Sequence, residues 1–139
     1  MKMKYLVILF AAITGLLLAT SGCRHASKPA TRLEGQWSGF KTARPDYKCT
    51  LSIKGDLIEY HGAESNDWVR GTFVLNEELE VPQMDLTIQE PADQSKKVIL
   101  AIYQIDEDTL RVAAGHSGSP RPSEFAPGPQ TDVFNFKRD

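Results

Sequence analysis

The sequence predicts an all-β domain, a small antiparallel up-and-down barrel of about eight strands. Three observations carry this expectation. From residue 33 onward, apolar side chains recur at every second position in short runs, the period of a half-buried strand. Gly, Asn, Asp and Pro separate these runs at the spacing of an all-β sandwich or barrel. Helical periodicity is nearly absent. Runs with one apolar and one polar face suit antiparallel sheets solvated on one side. Eight such strands can close into a barrel filled by side chains or holding one small ligand.

The elements follow in order. Residues 36–42 hold Trp37 and Phe40. Residues 47–53 alternate cleanly, with Cys49, Leu51 and Ile53 on one face. Gly55-Asp56 turns the chain into residues 57–61, where Ile58 and Tyr60 share a face. After a polar turn at 63–67, residues 68–75 set Val69, Gly71, Phe73 and Leu75 against Trp68, Arg70, Thr72 and Val74. An acidic connection at 76–80 leads to residues 83–89, with Met84, Leu86 and Ile88 against Asp85 and Thr87. A turn at 91–95 precedes a longer apolar run at 97–105. Asp106-Glu107-Asp108 turns it back into 109–113, and the last strand spans 132–137 with Phe134 and Phe136 facing one way.

The N-terminus has a different character. Lys2 and Lys4 precede an uncharged, almost wholly apolar stretch at 5–18, which is a secretory signal pattern. The stretch falls short of the ~20 apolar residues that span a bilayer as a helix. It ends Leu18-Ala19-Thr20-Ser21-Gly22-Cys23, which resembles a bacterial lipobox, with Thr20 where Leu is commonest. The resemblance implies cleavage before Cys23 and lipidation of its thiol. Two or more acyl chains anchor a protein stably, at ~0.8 kcal/mol per buried methylene. The expected organisation is therefore a lipoprotein signal peptide at 1–22, a flexible tether at 23–32 and a single β-barrel-like domain at 33–139. An ordinary signal peptide with a chance cysteine is the alternative. Arg24 is not the Asp that retains enterobacterial lipoproteins in the inner membrane. The expected location is thus outside the cytoplasm, lipid-anchored to the outer membrane and facing the periplasm.

Removing 22 of the 139 residues leaves 117, enough for one domain. Removing Lys2 and Lys4 from the 16 basic side chains leaves 14 against 18 acidic, a formal charge of −4. Such a surface lacks the electrostatic footprint of a nucleic-acid binder and the basic patch that seeks anionic head groups. With Cys23 lipidated, Cys49 has no partner for an internal disulfide. It reads as a small buried hydrophobe or as a reactive thiol.

Two resemblances bear on the domain, the first over most of it and the second, looser, over three residues. The first runs from Leu33-Glu34-Gly35-Gln36-Trp37 through Gly71-Thr72-Phe73, Asp85-Leu86-Thr87 and the 102–112 hairpin with Asp106-Glu107-Asp108-Thr109-Leu110. It ends in Arg121-Pro122-Ser123-Glu124-Phe125 and Lys137-Arg138. This pattern resembles an uncharacterised secreted-domain family found mainly in planctomycetes, which implies export and a fold pattern but no reaction. Members often carry a Cys after the Asp-Thr-Leu strand; Ala113 and Ala114 stand there in this chain. The second is Gly35-Gln36-Trp37, similar to the lipocalin Gly-x-Trp signature. It implies that Trp37 closes one end of an eight-stranded barrel and that Lys137 or Arg138 packs over it.

Several side chains invite a chemical reading. Glu59, His61 and Glu64 have the types of a metal site, yet strand alternation puts Glu59 and His61 on a solvated face. Asp106-Glu107-Asp108 lacks the Gly and distal Glu of a calcium loop and reads as a turn. His116, Ser117, Ser119 and Asp132 contain the residue types of a hydrolase triad, without a nucleophile elbow.

The segment 115–131 carries four of the eight prolines and cannot be a central strand. Loops of this length are usually functional or disordered. Phe125 has reason to dock on the barrel. Arg121 either satisfies backbone carbonyls and an acid, fixing the loop, or grips an anion from a lid at the barrel mouth, with Glu124 beside it. Trp37 reads as core. Trp68, opposite its strand's apolar face, is the best candidate for a partner-facing aromatic.

Together these features predict a non-enzymatic, membrane-tethered module that binds a small apolar or amphipathic ligand or an envelope protein. Its membrane partner is reached through lipid on Cys23, and no cofactor is implied. A solid interaction barrel without a ligand cavity is the first alternative, and an envelope hydrolase the second.

Overall fold

The computed structural model describes residues 32–139 except Pro91 and Asp93. The signal peptide, Cys23 and almost all of the tether lie outside the described residues, as do two positions of the turn expected at 91–95. Eight strands follow one another: β1 (Gly35–Lys41), β2 (Arg44–Lys54), β3 (Leu57–His61), β4 (Trp68–Asn76), β5 (Gln83–Gln89), β6 (Lys96–Asp106), β7 (Thr109–Gly115) and β8 (Thr131–Arg138). Each pairs antiparallel with the next, and β8 pairs back onto β1, closing an up-and-down barrel. Closure leaves no unpaired sheet edge.

Register follows from alternation, because a one-residue slip would turn every apolar side chain outward. Cys49, Leu51 and Ile53 of β2 are all buried. They pack with Ile58, Phe73, Met84, Tyr103, Leu110 and Phe136 in one interior cluster. Gly39 of β1 also faces inward, where a methyl group would strike the Asn135 carbonyl and the Phe136 ring. That close approach lets β8 lie tight against β1 at the seam.

The two ends of the barrel differ. At the end where β1 begins, Trp37 is 0% exposed and its indole N–H donates to the Leu33 carbonyl at 2.9 Å. Of the two basic residues considered, Arg138 covers Trp37, its guanidinium 4.1 Å from the ring centre. Its Nη1 and Nη2 donate to the carbonyls of Glu34 (2.5 Å) and Arg32 (2.8 Å). Nearby, the buried Tyr103 hydroxyl donates to Glu77 at 2.5 Å. This end is plugged.

The long segment after β7 starts at the other end, where Gly115, His116 and Ser117 line the opening, and it does not continue over that end. It crosses the outer wall, where Phe125 packs on Ile102, Ala113 and Val133. These three residues point outward from β6, β7 and β8, yet the loop buries them. Gly115 permits the crossing: a methyl group there would sit 2.9 Å from the Pro120 carbonyl. Arg111 holds the loop down, donating to the Phe125 carbonyl at 3.0 Å with its guanidinium over the Phe125 ring.

Candidate functional site: an apolar cavity with a charged rim

The unplugged end opens into a cavity of about 370 Å³. This lies within the usual range of small-molecule sites. Its cause is visible strand by strand. Inward-facing Trp37, Tyr103 and Leu110 near the plug are at most 1% exposed. Their counterparts toward the mouth are only half-buried: Tyr60, Val69, Leu86, Ile99 and Phe134. The strands keep the alternation to their ends, but no side chain crosses the lumen there. Leu51, Ile58, Met84, Val112 and Phe136 form the deeper walls.

Aromatic rings shape one side. Tyr60 meets Phe134 edge-on at 5.5 Å, and Phe134 stacks on Phe136 at 5.9 Å. The buried Tyr60 hydroxyl has the Cys49 thiol beside it and no oxygen or nitrogen partner among the described residues, and burial pushes its pKa up. Burial likewise raises that of the Cys49 thiol beside it. A thiol held neutral in this way is a poor nucleophile, which matches the reading of Cys49 as a small hydrophobe.

Polar groups gather at the rim. Lys41, Asp67, Glu90, Lys97, His116, Ser117 and Asp132 line the mouth. Lys41 and His116 each approach Asp132 at 3.6 Å. Lys97 pairs with Glu90 at 3.1 Å. The Tyr47 hydroxyl donates to the Asp67 carboxylate. That bond first, then burial and the carboxylate's charge, push Tyr47 from 10.0 up to about 12.

The residues singled out from sequence fall in different places. Arg121 and Phe125 lie on the outer wall, away from the mouth. The Arg121 guanidinium donates to the carbonyls of Ala101 (2.8 Å) and Met84 (3.4 Å) and to Asp85 (2.6 Å). It thus has the backbone and acid partners of the first reading offered for it. Glu124 is exposed on the same loop. Trp68 faces outward on β4, half-buried, stacked on His61 at 5.9 Å with the Arg70 guanidinium 5.1 Å from its ring. His61 and Glu59 hydrogen-bond each other at 2.7 Å on the outer wall. Among the described residues no three metal-ligating side chains converge.

His116 and Asp132 do come together, with Ser117 at the same mouth. Neither Ser117 nor Ser119 hydrogen-bonds the His116 ring among the described residues, and Asp132 is shared with Lys41. A nucleophile–base–orienter chain is not assembled.

Sequence reasoning missed Lys41, Lys97 and Asp67 as parts of a site. Alternation carried the signal for the two lysines: Lys41 lies two and four residues from the inward Gly39 and Trp37, and Lys97 two and four from Ile99 and Ala101.

Comparison with protein-family models, curated proteins and solved structures finds no match.

Proposed function

We propose that this protein is a non-enzymatic binding module of the bacterial cell envelope, held to a membrane by lipid on Cys23, that takes the apolar part of a small amphipathic molecule into its barrel. The observation that supports this reading is the cavity, apolar along its depth and charged only at its rim. That division is the one an amphipathic guest requires, since apolar surface gains about 25 cal/mol per Å² on leaving water while a polar head keeps its hydration at the mouth. A solid interaction barrel is the weaker reading, because about 370 Å³ of lumen is unfilled by side chains.

Native mass spectrometry of protein purified from its host tests the proposal. A copurifying small molecule that leaves when the cavity is filled by mutation is the expected result. A bare chain that also fails to take up an apolar fluorescent dye would count against it. The anchor is tested separately: Cys23→Ala should release the protein from membranes, and unchanged partitioning would refute the anchor alone.

The hydrolase reading has one observation in its favour, the approach of His116 to Asp132 beside Ser117. Covalent labelling of the folded protein by a serine-directed phosphonate would support it, and absence of labelling removes it.

A further inference from the structure

The rim contains a lysine, Lys41, whose hydrogen bonding is incomplete among the described residues. Lys41 is the last residue of β1, and strand alternation from Trp37 and Gly39 turns its side chain into the lumen. Its ammonium lies 5.0 Å from the centre of the Tyr47 ring and 5.6 Å from that of Phe134, and its side chain is only 24% exposed. Among the described residues Asp132 is its one ion-pair partner, at 3.6 Å, a separation too long for a hydrogen bond. Asp132 is also shared with His116. An ammonium has three donors, and among the described residues Lys41 donates none of them to protein. By contrast, Lys97 across the mouth sits 3.1 Å from Glu90, within hydrogen-bond distance.

We infer that Lys41 is the head-group anchor of the cavity and that the guest is a singly charged carboxylate amphiphile. The inference rests on the proposed binding function and names its ligand class. A carboxylate at the Lys41 ammonium accepts the unused donors in a charge-assisted bond. Its alkyl chain then descends past Phe134, Ile58 and Leu51 toward Met84, all of which line the cavity. Charge at the rim selects against a more highly charged head. Two lysines, Lys41 and Lys97, face three carboxylates, Asp67, Glu90 and Asp132, with His116 beside them. A phosphate monoester would bring a second negative charge among those carboxylates. Size limits the chain, because the cavity holds about a dozen water-sized groups, so a chain of about ten carbons fits.

The test uses decanoate, decanol and decyl phosphate as probes, with binding followed by calorimetry or dye displacement on the folded soluble domain carrying Cys23→Ala, and on its Lys41→Met and Lys41→Arg variants. Decanoate is expected to bind the parent more tightly than decanol or decyl phosphate. Lys41→Met should weaken decanoate by about ten- to a hundred-fold and leave decanol unchanged, while Lys41→Arg keeps most of the decanoate affinity. Equal binding of decanoate and decanol by the parent, or decanoate binding indifferent to Lys41→Met, overturns the anchor while leaving the cavity function standing. Tighter binding of decyl phosphate overturns the single-charge assignment. Binding of none of the three removes both the anchor and the function on which it rests. Should Lys41→Met not fold, the parent's preference among the three probes and the Lys41→Arg variant decide the matter.

Discussion

Arg138, the last residue of β8, sits over Trp37, near the start of β1, with its guanidinium 4.1 Å from the ring centre. The contact joins the two termini of the described domain across the barrel seam. A desolvated cation–π contact is worth about 2 kcal/mol, and each hydrogen bond to a carbonyl about 1 kcal/mol. Arg138→Ala is therefore expected to destabilise the domain by about 2–4 kcal/mol, lowering Tm by roughly 10 °C or more. Arg138→Lys should recover only part, since a point charge lacks the planar fork. Thermal denaturation checks both. A change below about 0.5 kcal/mol, typical of an ordinary surface substitution, would show that the plug holds without its cover.

Arg121 ties the proline-rich loop to β5 and β6. Arg121→Ala should cost about 1.5–3 kcal/mol, because two carbonyls and Asp85 lose a charged donor. Asp85→Asn should cost less than about 1 kcal/mol, since Asp85 is half-exposed and its ion pair is screened. Neither change should alter small-molecule binding, because the loop lies on the outer wall. Chemical denaturation and dye binding on the two variants provide the measurement. Lost binding at unchanged stability would return Arg121 to a recognition role.

Ala114 of β7 lines the cavity and has room in front of it. Ala114→Phe should fill the lumen, weaken binding of any apolar guest by about ten-fold or more, and leave stability unchanged or raised. A stable variant with undiminished binding would place the guest elsewhere.

The tyrosines of the barrel should resist ionisation. Tyr47 is pushed up to about 12, chiefly by its bond to Asp67. Tyr60 and Tyr103 are raised in the same direction by burial, Tyr103 also by its bond to Glu77. In the unfolded chain they lose their protons near 10.0, while in the fold they keep them. The unfolded state thus binds fewer protons above that pH, and stability must fall as pH rises. This contribution is complete below pH 10 and is lost for Tyr47 as pH passes through about 12. Ultraviolet absorbance should show no tyrosinate in the folded domain at pH 10, followed by a late rise coincident with unfolding. For Asp67→Asn, the Tyr47 step should move to lower pH.

Most of the fold was legible because alternation is a local signal that closure does not disturb. The 47–53 run and the 68–75 run each fixed their own inward face, and the structure keeps both. The loop was harder to read. Phe125 announced that it would dock, but Ile102, Ala113 and Val133, its outward-facing seat, belong to three strands whose adjacency exists only after folding. Ala113 drew notice only as the place where a cysteine was missing, whereas its small size makes room for the ring. The rim was harder still. A lysine at a strand end reads as solvent-facing, and Phe40 beside it drew the eye as the apolar member. Alternation sets Phe40 outward, against Lys48, and Lys41 inward. Only the packed barrel shows that no side chain fills the space below Lys41.

The described chain enters the barrel at its plugged end. Arg32 and Leu33 are bonded into the Trp37–Arg138 plug, so the chain leaves the barrel from its base. Lipid on Cys23, as proposed, would therefore hold the domain by the foot of a cup and not by its lip. A guest of the proposed kind would enter and leave by the lip, from water or from a carrier that can meet it.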